Sequence, residues 1–239
     1  TSVEIAPVYD EEAVFMPSSG CGDDCISWVD GERLFDDTEA GGALMETYRL
    51  FFAIDLRRDT DARLDALTAT ARQDVGREFR PVAKGQRHLT LRFLGDTDSD
   101  LVEPMASDLR EALASKTPFH ITVQGVGAFP NSHNARVLWA GIGEGAQRVI
   151  DLVASMDEVL CASHGFEPET RPFHPHVTVG RFRGRPMDVT RIVDFYAGEI
   201  WGRDPAGEVQ LIRSQLSRGG PTYTVLEKIP LGGNWPTDE

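Results

Sequence analysis

Residues 87–95 read RHLTLRFLG, and residues 174–184 read HPHVTVGRFRG. Each stretch writes His, any residue, Thr, an apolar residue and then Arg-Phe-x-Gly. The second copy reads as the first with one glycine, Gly180, inserted. Both alternate apolar and polar residues and are rich in strand formers, which predicts half-buried β-strands. On a strand, residues two apart share a face. His88 therefore projects with Thr90, and His176 with Thr178. Laid side by side across a pseudo-twofold axis, the two strands would bring two imidazoles and two hydroxyls into one cleft.

The remaining pattern suits such a duplication. The run YRLFFAIDL (48–56) predicts a buried strand. A helix follows through DARLDALTATARQDV, with Asp59 or Thr60 as its cap. After the first motif, Leu101, Met105, Leu109 and Leu113 recur every four residues and predict a second helix. FHITVQGVGAF and ARVLWAGI read as paired strands around the loop PNSHN. A long amphipathic helix, closed by Gly165, precedes the second motif. A short helix covers about Val189–Tyr196, and two last strands, EVQLIRSQLS and TYTVLEKIPL, flank the turn RGGP. Short helices between hairpin-like strand pairs favour an α+β fold with antiparallel sheet, in two related lobes carrying one motif strand each. Gly-rich phosphate-loop and dinucleotide fingerprints are absent from the sequence.

The chain has 239 residues and a formal net charge of −14. That charge is unevenly spread. Residues 1–44 hold 11 acids and one base, Arg33, for a net of −10; the rest holds 27 acids and 23 bases, a net of −4. Residues 1–44 read as an acidic, flexible extension, and 45–239 as the folded body. No apolar run approaches the length of a membrane span, and no basic stretch followed by an apolar core opens the chain. Cys21, Cys25 and Cys161 make no disulfide framework and are expected as free thiols, which points to the cytoplasm.

Two histidines and two threonines are a sensible kit for opening a phosphodiester without a metal. One imidazolium protonates the leaving oxygen while a neutral imidazole takes a proton from water. The hydroxyls hold non-bridging phosphate oxygens, and a nearby arginine offsets developing charge. Neither motif has the Asp or Glu nearby that a hard-cation site needs, so no metal or other cofactor is expected. His120 in HITV also has Thr two places on, but lacks the Arg-Phe-x-Gly continuation and reads as structural. His133 falls in a loop, and His164 at a helix C-terminus. His174 shares the strand parity of His176, which would bring it to the cleft rim as a lesser candidate for binding substrate.

Paired His-x-Thr-x motifs, here HLTL and HVTV, resemble the signature of the 2H phosphoesterase superfamily. Within it the chain is most similar to the RNA 2′,3′-cyclic phosphodiesterases, historically called 2′-5′ RNA ligases. The likeness runs from Tyr48 to Leu231 and includes RLFFAIDL, GVGAFP, VLWAGI and the closing LIRSQLSRGGPTYTVLEKIPL. It implies a bilobal fold, each lobe an antiparallel sheet with helices outside and the motifs lining a central groove. It implies hydrolysis of a terminal RNA 2′,3′-cyclic phosphate to a 2′-phosphate, without metal; the chain is separately expected to be a monomer. His88 would be the proton donor and His176 the proton acceptor. Thr90, Thr178 and Arg181 would hold phosphate, and Phe93 either stacks on a base or belongs to the core. Chains of this kind usually begin near RLFFAIDL, so residues 1–44 would be an added tail, or Met45 the true start. Alternatives with the same residues are 2′-5′ ligation, action on small cyclic nucleotides, and non-catalytic binding of RNA ends. With no dense basic run, recognition confined to the terminal nucleotide is the expectation.

Overall fold

In the computed structural model, which describes residues 46–217 and 220–235, the two motif stretches are neighbouring strands. The first lies in β3 (His88–Asp98) and the second in β6 (His176–Phe182). They run antiparallel and meet at a single ladder pair, Leu89 opposite Val177. From β3 the sheet continues through β1 (Thr47–Asp55), β8 (Glu208–Ser217) and β9 (Gly220–Pro230). From β6 it continues through β5 (Val137–Ile142), β4 (Phe119–Phe129) and β7 (Ile200–Ala206). A short strand, β2 (Phe79–Pro81), belongs to the first half in sequence and pairs with β6 of the second. The fold is α+β, two antiparallel halves of one continuous sheet. The proposed extension, Cys21 and Cys25 lie outside the described residues.

Each half contains the same unit. In the first, β1 leads through α1 (Arg58–Val75) to the motif strand β3; in the second, β5 leads through α3 (Ala146–His164) to β6. Two further helices, α2 (Val102–Leu113) and α4 (Thr190–Phe195), follow the motif strands. The helices pack across the seam as well as beside it: α1 rests on β6 and β7, and α3 touches β3 and α2. One apolar core results, shared between the halves, from Leu50, Phe52 and Leu89 to Leu138, Val177 and Trp201. Burying each such side chain contributes about 1.5–3 kcal/mol. Leu89, Leu91, Val177 and Val179 all point into it, at most 2% exposed. Alternation then assigns His88, Thr90, His176 and Thr178 to the opposite, half-open face.

Two strands are illegible in the sequence. β2 is only three residues long. β7 contains Gly202 and Pro205, residues that weaken any strand reading. Proline is tolerated because, among the described residues, β7 is an edge strand with one side free of ladder partners. The cap of α1 also differs from expectation. The helix starts at Arg58, before Thr60, with Arg57 as its N-cap and no capping side chain of its own. Asp204 of β7 caps it from across the fold. Fully buried, it accepts from the Arg57 backbone N–H and, at 2.7 Å, from the Thr60 hydroxyl. A partner so distant in sequence leaves no local capping signal.

Arg87, immediately before the first motif histidine, is buried with only 3% exposure. Its guanidinium donates to the Asp61 carboxylate at 3.0 Å, the Asp61 carbonyl at 2.7 Å and the Asp65 carboxylate at 2.8 Å. This pairing pins the N-terminal part of α1 to the strand that carries His88. Removing one partner of a buried pair leaves the other uncompensated. Arg87→Met should therefore lose about 3–5 kcal/mol of stability in urea unfolding. A loss below about 1 kcal/mol would show that Asp61 finds other partners.

Candidate active site

The two histidines are held in the same way. His88 Nδ1 lies 2.8 Å from the carbonyl of Gln86, and His176 Nδ1 lies 2.7 Å from the carbonyl of His174. A carbonyl only accepts, so each Nδ1 must carry hydrogen and donate it. That fixes the tautomer: in a neutral ring Nε2 holds the basic lone pair, and in a charged ring Nε2–H is the transferable proton. Both anchors are backbone groups two residues upstream. The duplication thus extends from the side chains to their supports.

The surroundings of the two rings differ. His88 stacks on Phe51, with centroids 4.9 Å apart and planes 23° apart, and meets Tyr223 edge-on at 5.3 Å. His176 meets Phe129 edge-on at 5.0 Å, with Trp139 at 6.0 Å and His174 at 6.4 Å. Burial among those rings pushes His176 down from 6.5 to about 4, because a charged imidazole there would lose its water. The hydrogen bond to the His174 carbonyl opposes that shift, while His174, Arg181 and His88 add to it through like charge. His174, at the rim against Trp139, is also lowered by burial. His176 is accordingly neutral near pH 7.

The glycine that reads as an insertion is not one. Opposite β1, Phe52 pairs with Arg92 and Ala53 with Thr90, leaving Leu91 as a bulge. Opposite β5, Leu138 pairs with Gly180 and Trp139 with Thr178, leaving Val179 as a bulge. Both motif strands therefore bulge at the residue after the threonine, and the two align without a gap. A bulge resets which way later side chains point. Arg92 turns to the core side, where it ion-pairs with Asp157 and Glu169, each at 3.3 Å. Gly180 takes the equivalent place in β6, and Arg181 takes the place of Phe93. Both Phe93, opposite Phe51, and Arg181, opposite Val137, thereby fall on the histidine face.

Glycine is required at 180 because β2 lies directly against it. A Cβ there would stand 2.4 Å from the Phe79 ring and 2.8 Å from the Arg80 carbonyl oxygen. Gly180→Ala should cost about 1–3 kcal/mol through overpacking, read as a lower urea midpoint. An unchanged midpoint would mean that β2 is free to lift away. Gly127 serves a different neighbour: a Cβ would come within 2.2 Å of the Trp139 ring, so its absence lets that ring lie flat beside the site.

Thr90 and Thr178 share the histidine face, and among the described residues neither hydroxyl takes a hydrogen-bond partner. Phe93 is half-buried, its ring 5.7 Å from Phe51. The other histidines stand apart. His120, on β4, packs against Trp235 at 5.2 Å; His133 lies 3.4 Å from Asp188; His164 pairs with Asp108 at 3.0 Å. Phe51, Phe129, Trp139 and Tyr223 complete the site and were not singled out in the sequence. The run VLWAGI is apolar throughout and does not alternate, so nothing in it marks Trp139 as facing the site. Among the described residues no three His, Cys, Asp or Glu side chains gather as a metal site would require, and Cys161 is a free thiol. No helix among them is long and apolar enough to cross a membrane.

The family model for LigT like Phosphoesterase matches residues 54–139. A relative from Aquifex aeolicus named RNA 2′,3′-cyclic phosphodiesterase is 36% identical over 61% of this chain and 78% of its own length. The chain belongs to the LigT-like family of 2H phosphoesterases. The crystal structure of TT0787 from Thermus thermophilus superposes on this LigT-like chain with a TM-score of 0.63. It is 33% identical, covering 77% of this chain and 98% of that one. E. coli LigT complexed with 3′-AMP is 28% identical with a TM-score of 0.58, covering 78% and 99%. The matched family span ends before His176, and the strand that carries it is the gapless structural counterpart of the first motif strand.

Proposed function

We propose that this LigT-like phosphoesterase hydrolyses a 2′,3′-cyclic phosphate at the 3′ end of RNA to a 2′-phosphate and a free 3′-hydroxyl, with no metal taking part. The observation that carries this reading is the pair of histidines on adjoining strands, each with Nδ1 tied to a backbone carbonyl. Neutral His176 accepts a proton at Nε2 from the attacking water as the new P–O bond forms. His88, charged, gives its Nε2 proton to the 3′ oxygen as the P–O3′ bond breaks. The cycle leaves His176 charged and His88 neutral, and proton exchange with solvent restores both. Thr90 and Thr178 offer hydroxyls to the non-bridging oxygens, and Arg181 offsets their charge. Phe93, at the mirror position, faces the nucleoside side, where an aromatic ring favours a base.

The names borne by relatives and the 3′-AMP complex of E. coli LigT support a cyclic phosphate on ribose as the substrate. The test is incubation of a short RNA bearing a 2′,3′-cyclic phosphate with the chain in excess chelator, with the product isomer identified. A 2′-phosphate product is expected. Loss of turnover on chelation, restored by added metal, would overturn the metal-free mechanism. Binding without turnover would overturn catalysis itself.

A further inference from the structure

The sequence shows no dense basic run, yet the fold assembles one. Arg80 on β2 lies directly opposite Arg181 on β6. Directly opposed residues have Cβ atoms about 4.5–5.5 Å apart, and like charges so placed are destabilising. Beyond Arg80 the surface continues with Arg77 and Arg72, which with Gly76 and Phe79 line an open hollow of about 480 Å³. Arg183 adjoins it, its backbone N–H donating to the Glu78 carbonyl at 2.8 Å. Arg72, Arg77, Arg80 and Arg183 are exposed, and among the described residues no carboxylate forms an ion pair with them. Arg87, Arg92, Arg110 and Arg213, by contrast, each meet a carboxylate. A chain of net charge −14 here keeps four exposed guanidiniums on the elements that adjoin Arg181.

We infer that this strip, Arg181–Arg80–Arg77–Arg72 with Arg183 beside it, is a track for the phosphodiester backbone of the RNA leading up to the cyclic end. The inference rests on the proposed function and extends it from a terminal nucleotide to a polymer. With Val179 bulged, Thr178 to Arg181 spans two residues of the partner strand, roughly 7 Å at about 3.3 Å per residue. The strip therefore begins where the reacting phosphate ends. Guanidiniums are suited to bidentate phosphate contacts. Binding through them carries no base preference and weakens as salt rises.

The test compares two substrates: 2′,3′-cyclic AMP, and an RNA of roughly ten nucleotides, within single-strand site sizes, ending in a 2′,3′-cyclic phosphate. The wild type is set beside Arg72→Gln/Arg77→Gln/Arg80→Gln, after confirming equal thermal midpoints. For the RNA, the triple variant should raise KM at least about ten-fold at low salt, with kcat retained. Its slope of log KM against log salt should fall by about two, at about 0.7 per phosphate contact. Kinetics on 2′,3′-cyclic AMP should be unchanged. Equal effects on both substrates, or none on the RNA, would overturn the track. Wild-type failure on both substrates would instead sink the proposed function, so the two readings fail separately.

Discussion

His88→Ala and His176→Ala each lower kcat/KM on RNA 2′,3′-cyclic phosphate by about 10²–10⁴-fold, while His120→Ala retains wild-type rates. The first two remove the groups that donate and accept the proton in the proposed mechanism. The third removes a ring that packs on Trp235, away from the seam. Because acid and base act in one step, the double variant should fall far short of the product of the two single losses. Single-turnover rates, with folding checked by circular dichroism, measure all four. Retention of more than about a tenth of the rate in either single variant would exclude that histidine from proton transfer.

The acid limb of kcat/KM should lie near pH 4. The limb reports the base in the free enzyme, and burial holds His176 at about 4 rather than 6.5. A depressed histidine stays neutral, and so able to accept a proton, as pH falls until its own pKa is reached. At about pH 4.5 an imidazole of ordinary pKa would be about one-hundredth neutral, whereas His176 would remain largely so. A limb at 6.5 would show that this burial is absent in solution. The same depression acts on stability with a definite sign. Between about 4 and 6.5 the unfolded chain binds a proton at this position that the folded chain refuses. Stability is therefore complete above 6.5 and declines as pH falls through that window, and His176→Gln should decline less.

Much of the site was legible because the signal was local. His-x-Thr on an alternating run states its own face, and writing it twice states that the faces belong together. Thr90 and Thr178 needed nothing more. Arg181 is implied by family likeness alone, and the reason it points inward is hidden: a bulge at Val179 depends on the strand opposite, not on residues 174–184. For the same reason the Arg-Phe of one motif seemed to match the Arg-Phe of the other, although Arg92 is held by Asp157 on the far side. The basic strip was illegible because Arg72, Arg77 and Arg80 meet Arg181 and Arg183 only once β2 pairs with β6. The cap on α1 was equally remote, supplied by Asp204 to a helix nearly 150 positions earlier. What failed to show in the sequence was thus what long-range pairing decides.

The single ladder pair between Leu89 and Val177 has a consequence for how the molecule wears out. Acid and base sit on either side of the thinnest seam in the sheet, while each half is laddered internally along several strands. Partial openings follow the least-supported boundaries. The β2–β6 ladder, α1 and the shared core still bridge this line, so a small shift of β3 against β6 is enough to separate donor from acceptor while helices and flanking ladders persist. Turnover is therefore a finer gauge of the chain's integrity than any spectroscopic measure of its secondary structure.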